Sequence, residues 1–477
     1  MVCSLQLPND VLLLVGEHLE NHGDRWKLIF ISHHFHELFL SLVYRKARLN
    51  SWRDVYSFLC AITNRPSLAR AVHELDLSSW QRKPIASEDW EVLRDSAILK
   101  DTVQISSYSG EETAQWEEHL AKGRGDAWIA LTLPLLSQLR QLHLVYSTPT
   151  PCLDRSMQRA INGERPFQPR LVFQNLREVV LYHQEDLDQP AAQESAENGS
   201  DKHSPSFLLS FFQLSSLRSI VANSVVDPTS ASQNPDSDAE QSDQLCSGFS
   251  SITDIDLRHS SGNHGMEALI TSCADLKSFK YQHSDSHLAS HGFQPTAFYR
   301  SLTRSKQTLQ TLWLDHYGDH YPFTSAGLNQ THDEWFGSLA EFSALQELRI
   351  RLTNLLDIRY QTEPTTPLIN CLPHSLETLY IEGCEERHVG TLVSQLQTVL
   401  KNRNSRFPHL RCLDIEGAFQ NASAEELGDT RASASDPSDD TIKSKIMQAA
   451  EPLHEHCDSA GIELHVHDRA FSQNHAR

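Results

Sequence analysis

The sequence lacks the motifs by which common enzyme folds hold phosphate, acyl groups or zinc. It contains no Gly-x-x-x-x-Gly-Lys loop, no Gly-x-Gly-x-x-Gly turn, no Gly-x-Ser-x-Gly elbow and no His-Glu-x-x-His pair. Each of these motifs supplies a backbone cradle, a nucleophile or metal ligands at a fixed spacing. We therefore expect a non-enzymatic protein with no catalytic residues and no cofactor, although a catalytic cysteine would need no such motif.

Basic charge and long apolar runs are also scarce. The 477 residues include 41 Lys and Arg against 62 Asp and Glu, which gives a net charge of −21. Nucleic-acid phosphates require clustered Lys and Arg, so we expect no nucleic-acid partner. The sequence contains neither an apolar run long enough to span a bilayer nor a signal-peptide pattern at its start. We therefore expect a soluble protein without a membrane partner, located in the cytoplasm, the nucleus or both.

Paired cysteines and metal-ligand spacings are missing as well. The nine cysteines are scattered and never form a Cys-x-x-Cys pair, so they are predicted to be reduced and mostly buried. The 26 histidines include two groups, one at His33, His34 and His36 and one at His454, His456, Cys457, His465 and His467. The first group cannot lie on one helix face, and the second lacks the ligand spacing of closed zinc sites. The sequence predicts no metal site.

What the chain does contain is an apolar pattern of helical period near its N-terminus. Leu7 and Pro8 precede Asn9 and Asp10, either of which can cap a helix, and Ser32 can cap a later one. Apolar residues then recur at three- and four-residue spacing, at Val11, Leu12, Val15, Leu19, Leu28, Ile31, Phe35, Leu38 and Leu42. The pattern predicts a compact module of three short helices.

This layout resembles the F-box, the helical module that docks a substrate receptor onto the Skp-type adaptor of a cullin-based ubiquitin ligase. The matching residues are Leu7, Pro8, Asp10, Val11, Leu12, Val15, Leu19, Leu28, Ile31, Ser32, Leu38, Leu42, Val43, Tyr44 and Arg45. Gly16 inside the first helix and His33 depart from the family pattern. The resemblance implies that the adaptor is contacted through Leu7, Pro8, Val11, Leu12, Val15, Leu28, Ile31, Leu42 and Tyr44. The alternative remains open that these three helices only cap the domain that follows and bind no adaptor.

From residue 72 onward a short pattern with apolar residues at its first, fourth and sixth positions returns throughout the chain. Its instances begin at Val72, Leu139, Leu176, Leu217, Ile252, Leu276, Leu309, Leu345, Leu376 and Leu410. Apolar segments of helical spacing lie between them, at residues 129–136, 207–212, 266–270, 298–302, 335–339 and 392–400. Each unit is thus predicted to be a strand followed by a helix, and one unit alone cannot bury both faces.

The fold class predicted from these repeats is α/β, with parallel strands inside and helices outside. It resembles a leucine-rich-repeat solenoid of an irregular, long-unit variant, because the family's Asn or Cys eight residues after the first Leu appears only as Cys384. We predict a helical module at 1–49, a connecting helix at 50–71 and the repeats at 72–477. Polar stretches at 184–206, 227–248 and 420–440 are predicted to be mobile loops. Residues 85–126 are predicted to hold two helices, and residues 462–466 a closing strand.

The repeat geometry also predicts a binding surface. If the fourth and sixth positions of each repeat face the core, the fifth and seventh face the opposite side of the sheet, because strand side chains alternate. On consecutive repeats these positions are Lys280, Gln282, Trp313, Asp315, Arg349, Arg351, Tyr380 and Glu382. Trp, Tyr and Arg dominate the energetics of protein interfaces. We predict that all of these except Gln282 bind a protein substrate, although any one of them could be an ordinary solvent-facing strand residue.

Together the two resemblances imply a substrate-recognition subunit of a cullin-RING (SCF-type) ubiquitin ligase. Its expected partners are a Skp-type adaptor, the cullin scaffold and a protein substrate that the sequence does not identify. The alternative is a leucine-rich-repeat scaffold for protein interactions with no link to a ligase.

Overall fold

The computed structural model describes residues 7–19, 21–80, 84–146, 150–167, 173–183, 205–227, 248–262, 264–284, 293–317, 334–358, 363–417, 419 and 444–468. The chain divides into two compact units, the first containing Met1–Asn223 with Phe249–Ile252 and the second containing Ser224–Gly248 with Thr253–Arg477. The three predicted loops fall almost entirely at 184–204, 228–247 and 420–443, outside the described residues.

The first unit begins with the three predicted helices, α1 (Asn9–Glu17), α2 (His22–Leu28) and α3 (His33–Tyr44). The side chain of Asn21 accepts a hydrogen bond from the Gly23 amide at the start of α2, and Ser32 accepts one from the Phe35 amide at the start of α3. Both caps satisfy amides that have no partner inside a helix. A small core holds the helices together, formed by Ile29, Phe39, Leu42 and Val43 with Leu12, Leu13, Leu28, Phe35, Leu38 and Leu40 packed against it.

Gly16 is a packing requirement of this module. A Cβ atom at this position would lie 2.7 Å from Cε1 of Phe39 and 2.8 Å from Cδ2 of Leu42. Both distances are shorter than the contacts that real Cβ atoms make, so the glycine lets α1 approach α3 closely. The departure from the F-box pattern noted in the sequence therefore has a local structural reason.

We expect Gly16→Ala to destabilise the module by about 1–3 kcal/mol, because the added methyl group must displace a buried ring or a leucine. Gly390→Ala is the matched control, because a Cβ atom at Gly390, in the helix Val389–Lys401, meets nothing within 4 Å. The control should be neutral or slightly stabilising. Urea denaturation of both variants measures the difference. If Gly16→Ala and Gly390→Ala have the same urea midpoint, the methyl group added at Gly16 is accommodated between α1 and α3 without loss of stability.

The rest of the first unit alternates strands and helices. The strands are β1 (Lys46–Arg48), β2 (Glu74–Leu77), β3 (Gln141–Tyr146), β4 (Glu178–His183) and β5 (Ser219–Asn223), and they pair in parallel in chain order. The helices are α4 (Trp52–Asn64), α5 (Pro66–Ala71), α6 (Ser87–Arg94), α7 (Ala97–Ser106), α8 (Gly110–Ala121), α9 (Gly125–Thr132), α10 (Pro151–Asn162) and α11 (Pro205–Phe212), with a 3-10 turn at Leu133–Leu135. Strand β1 thus lies inside the stretch assigned to the helical module.

The prediction of two helices across residues 85–126 was wrong. The structure has three, α6, α7 and α8, because the chain turns twice. The Asp95 amide bonds to the Glu91 carbonyl where α6 ends, and the Ser109 side chain accepts a hydrogen bond from the Glu112 amide, which starts α8. Ser and Asp favour such helix ends because their side chains compete with the helical backbone for hydrogen bonds.

The second unit contains strands β6 (Asp254–Ser260), β7 (Ser278–Ser284), β8 (Thr311–Tyr317), β9 (Glu347–Arg351), β10 (Thr378–Cys384), β11 (Cys412–Gly417) and β12 (Glu463–Asp468). They too pair in parallel in chain order, which confirms the predicted fold class and the closing strand. Its helices are α12 (Glu267–Ser272), α13 (Pro295–Leu302), α14 (Leu352–Leu355), α15 (Leu368–Cys371), α16 (Val389–Lys401), α17 (Arg403–Arg406) and α18 (Ser444–Ala460), with 3-10 turns at Thr303–Ser305 and Glu386–His388.

One predicted helix of this unit is absent. Residues 335–339 form an irregular segment, in which the Phe336 amide bonds to the Asn354 carbonyl and the Leu339 amide bonds to the Cys371 carbonyl. Gly337 has φ +134°, a backbone conformation that a helix does not contain. Phe336 and Leu339 are buried although the segment is not a helix. The apolar spacing of this segment therefore indicates which residues are buried and does not indicate a helix.

The predicted burial of the strand positions is confirmed. The fourth and sixth residues of the repeats, such as Leu348 and Ile350 of β9, are buried. The residue between them is partly exposed in β5 to β11, whereas Asp76 of β2 and Val180 of β4 are buried as well. The ring of Phe279, a fourth-position residue, contacts Phe298 of α13 with centroids 6.0 Å apart. The helices therefore cover one face of the sheet, and the fifth positions point to the other.

Two further expectations concern cysteines and membranes. Cys152, Cys273, Cys371, Cys384 and Cys457 are buried, as predicted, and burial raises the pKa of the Cys273 thiol to about 12 and that of Cys371 to about 11. These thiols are therefore inert at neutral pH.

In the part of the chain that the structure describes, no helix combines the length and apolar character needed to cross a bilayer.

Candidate functional site

The strand register of the second unit brings four predicted site residues into one row. Lys280 of β7 lies opposite Trp313 of β8, which lies opposite Arg349 of β9, which in turn lies opposite Tyr380 of β10. Neighbouring strands of a sheet are about 4.8 Å apart, so side chains on one face of such a row touch. We call Lys280, Trp313, Arg349 and Tyr380 the aromatic–cationic row.

Cations and aromatic rings alternate along this row. The Lys280 Nζ atom lies 3.6 Å from the centroid of the Trp313 ring. The guanidinium carbon of Arg349 lies 5.9 Å from the Trp313 ring and 4.4 Å from the Tyr380 ring. A cation over an aromatic face is attracted by the negative face of the ring, at roughly 0.5–1 kcal/mol where water has access. These contacts hold long side chains in fixed positions before any partner arrives.

Carboxylates anchor one end of the row. The Arg349 Nε atom donates a hydrogen bond to Glu382 Oε2 at 3.3 Å, and the Tyr380 hydroxyl donates one to Glu416. Burial raises the pKa of Tyr380, and the hydrogen bond to Glu416 raises it further, so Tyr380 remains a neutral donor. Glu382 and Glu416 are each only 5% exposed. They therefore position Arg349 and Tyr380.

This burial corrects the prediction for Glu382. It was expected to contact substrate, but its carboxylate is covered and engaged by Arg349, so it offers no surface of its own. Arg351 is partly exposed and packs beside Gly383, where a Cβ atom would lie 3.2 Å from the arginine Nε. Asp315 belongs to β8, but its side chain lies outside the described residues.

Lys280 differs from the other charged members of the row. Arg349 is ion-paired with Glu382, whereas Lys280 makes no ion pair with any residue that the structure describes. Its ammonium group lies over the Trp313 ring, and the residue as a whole is partly exposed. A negatively charged group of a partner can therefore pair with Lys280 without displacing a carboxylate of the described part of the chain.

A second candidate surface lies on the N-terminal module. Among the residues predicted to contact an adaptor, Leu7, Pro8, Val11, Val15 and Ile31 are exposed, Val15 at 54% and Ile31 at 62%. Three more large apolar residues of the module are exposed although the sequence did not single them out, namely Leu14, Trp26 and Phe30. Apolar residues exposed close together along a short chain segment are typical of an interaction site.

The other predicted adaptor contacts are wholly or partly buried. Leu42 is 6% exposed and belongs to the module core, so it supports the helices and cannot be a contact residue in this conformation. Leu12 and Leu28 are partly buried against the same core. The Tyr44 ring stacks on Phe58 of α4 with centroids 6.0 Å apart, and burial raises its pKa. Periodicity identified these residues as apolar but did not show which ones the neighbouring helix covers.

The two histidine groups have different environments. The His34 ring shares a hydrogen bond of 2.9 Å with the Asn9 side chain, which ties α3 to the start of α1. In the second group, His454 and His456 belong to α18, whereas His465 and His467 lie on β12 with their rings stacked at 5.8 Å.

A family model of leucine-rich repeat domains matches residues 190–433, just over half of the chain. The matched residues include strands β5 to β11 and the whole aromatic–cationic row. A search of the curated proteins finds no match to the sequence. Repeats of this kind contact their neighbours in the stack and present an extended surface for binding.

Proposed function

We propose, from the premise that the chain belongs to the leucine-rich repeat domain family, that its second unit binds a protein partner on the aromatic–cationic row. One observation carries the proposal. Lys280, Trp313, Arg349 and Tyr380 come from four separate repeats and meet in a single row of alternating cations and rings.

The chemistry of the row suits a protein interface. Trp, Tyr and Arg combine a large apolar area with a directed polar group and are the residue types most often found as binding hot spots. Cation–π contacts and the bond from Arg349 to Glu382 fix these side chains in advance. Less conformational entropy is then lost when a partner binds. The ammonium of Lys280, which pairs with no carboxylate of the described residues, would pair with a carboxylate of that partner.

We expect Trp313→Ala to weaken binding of a protein partner about 30-fold, corresponding to about 2 kcal/mol, because it removes the ring under Lys280 and beside Arg349. Lys280→Ala should weaken it less, and the loss should shrink at high salt. Lys401→Ala, an exposed lysine at the end of α16, is the matched control. Partners are identified by affinity purification and their affinities measured by calorimetry. If Trp313→Ala and Lys280→Ala both bind with unchanged affinity, the partner binds to another surface of the protein.

We further propose that the N-terminal module recruits a Skp-type adaptor, which would make the chain the substrate-recognition subunit of a cullin-RING (SCF-type) ubiquitin ligase. Two observations support this. The three helices and their caps follow the F-box order, and Leu7, Val11, Val15 and Ile31 are exposed apolar residues on a module with its own core. The ligase would supply the ubiquitin chemistry, and the chain would supply recognition.

Mixing the purified full chain with a purified Skp-type adaptor tests the ligase link directly. Co-elution of the two on size exclusion is the expected result. If the adaptor elutes alone at micromolar concentrations, the chain is a leucine-rich-repeat scaffold without a ligase link. That outcome would leave the proposal for the aromatic–cationic row intact, because the two surfaces use different residues.

A further inference from the structure

Strands β11 and β12 place several metal-binding side chains on one face. Their register sets Cys412 opposite Glu463, Asp414 opposite His465, and Glu416 opposite His467. Because side chains alternate along a strand, Cys412 and Asp414 share a face with Glu463 and His465. A thiol, two carboxylates and an imidazole therefore lie side by side at this strand pair.

Three of these side chains converge. The Cys412 Sγ atom, a Glu463 carboxylate oxygen and a His465 ring nitrogen all lie within 4.8 Å of one another. The His465 Nε2 and Glu463 Oε2 atoms are 3.9 Å apart. A sulfur and a nitrogen bound to one zinc ion at tetrahedral angles are about 3.6 Å apart. Since Glu463 and His465 are exposed, small rotations of their side chains close the difference.

We propose that Cys412, Glu463 and His465 form a binding site for a zinc ion. Thiolate, imidazole and carboxylate are the donor groups that zinc takes in proteins, and three protein ligands leave a fourth position for water or another ligand. The ion would join β11 to β12 through their side chains. The inference is independent of the proposed function, because it requires neither a substrate nor an adaptor.

The surrounding charges favour a cation at this point. Burial raises the pKa of the Cys412 thiol, and the negative charges of Asp414 and Glu463 raise it further. A divalent cation beside the sulfur would offset both effects and allow the thiolate to form, with release of its proton to solvent.

The neighbouring His467 restrains the proposed ligand His465. The two imidazole rings stack with centroids 5.8 Å apart and planes 13° from parallel. The Nε2 atom of His467 lies 3.4 Å from Asp414 Oδ1. The stacked ring therefore limits the orientations that the His465 ring can take.

Spacing along the sequence gave no sign of this group, because Cys412 lies on a different strand from Glu463 and His465. Histidines and cysteines close in sequence have no zinc-ligand spacing, whereas these three ligands come together only when β11 and β12 pair. Of the second histidine group, His465 alone belongs to the proposed ligand set, and Cys457 is buried in α18.

Titration of the reduced, metal-free full chain with Co²⁺, followed by absorption spectroscopy, tests the proposal. We expect a thiolate-to-cobalt charge-transfer band that saturates at one ion per chain and disappears on addition of Zn²⁺, which displaces cobalt. Cys412→Ser should abolish the band, and His465→Ala should weaken cobalt binding at least 10-fold. Circular dichroism establishes that each variant is folded.

Cys60→Ser is the matched control, because Cys60 is also a partly exposed thiol but lies in α4 of the first unit. This variant should retain the full charge-transfer band. The proposal is overturned if Co²⁺ gives no thiolate band, or if the band survives in Cys412→Ser.

Discussion

A chain in which Val15 and Ile31 are both replaced by Asp is expected to show at least about 100-fold weaker binding in the proposed complex with a Skp-type adaptor, while remaining folded. In the free protein both side chains are largely exposed, at 54% and 62%, so the new carboxylates are hydrated and the module core is untouched. In an apolar interface the same carboxylates would lose water without gaining a partner, which costs several kcal/mol. The loss is measured by calorimetry or by co-elution of the purified components.

Val92→Asp is the matched control for this experiment. Val92 is 76% exposed on α6 of the same unit and lies outside the N-terminal module. It should bind adaptor as the wild type does. If Val15→Asp with Ile31→Asp retains wild-type affinity, the module does not use its exposed apolar residues for docking.

The second large effect concerns stability. Glu112 of α8 is buried and receives hydrogen bonds from Arg159 Nη2 at 3.0 Å, Arg155 Nη1 at 3.1 Å and the Tyr108 amide at 2.8 Å. Arg159 is also buried, donates to the Ser106 carbonyl and lies 4.1 Å from the centroid of the Tyr108 ring. The network ties α7, α8 and α10 together.

Glu112→Gln should lower the free energy of unfolding of the first unit by about 3–5 kcal/mol, because it removes the negative charge that compensates the buried guanidinium of Arg159. Glu118→Gln is the matched control on the same helix, since its partner Lys122 and Glu118 itself are 61% and 59% exposed. Exposed pairs contribute about 0–1 kcal/mol. Urea denaturation compares the two. If Glu112→Gln and Glu118→Gln lower the free energy of unfolding equally, the buried network stabilises the unit no more than a surface ion pair does.

The same network predicts a pH dependence. Burial would raise the pKa of Glu112, but the hydrogen bonds from Arg159, Tyr108 and Arg155 outweigh it and hold the pKa below its ordinary value of 4.5. A depressed pKa in the folded state means that the stabilisation is complete above the ordinary pKa and is lost as the pH falls below it. The unfolding free energy of Glu112→Gln should therefore fall less steeply below pH 4.5 than that of the wild type.

The sequence alone determined the repeat architecture and the face on which the candidate residues lie. A unit of one strand and one helix can bury both its faces only by stacking on its neighbours, which predicts parallel strands. The observed register then places Lys280, Trp313, Arg349 and Tyr380 in one row. Side-chain alternation has a fixed period of two, so the assignment of these residues to one face needed no tertiary information.

Only the tertiary structure decided what covers each side chain. Periodicity marked Leu42 and Val15 alike as apolar, but α1 packs on α3 through Gly16, which buries Leu42 and leaves Val15 exposed. Glu382 and Arg351 both occupy the seventh position of their repeats. Glu382 is nevertheless buried, and its carboxylate pairs with Arg349. Cys412 and Glu463 meet because two strands far apart in sequence become neighbours. Contacts between elements depend on how those elements pack, and no pattern within a single element contains that information.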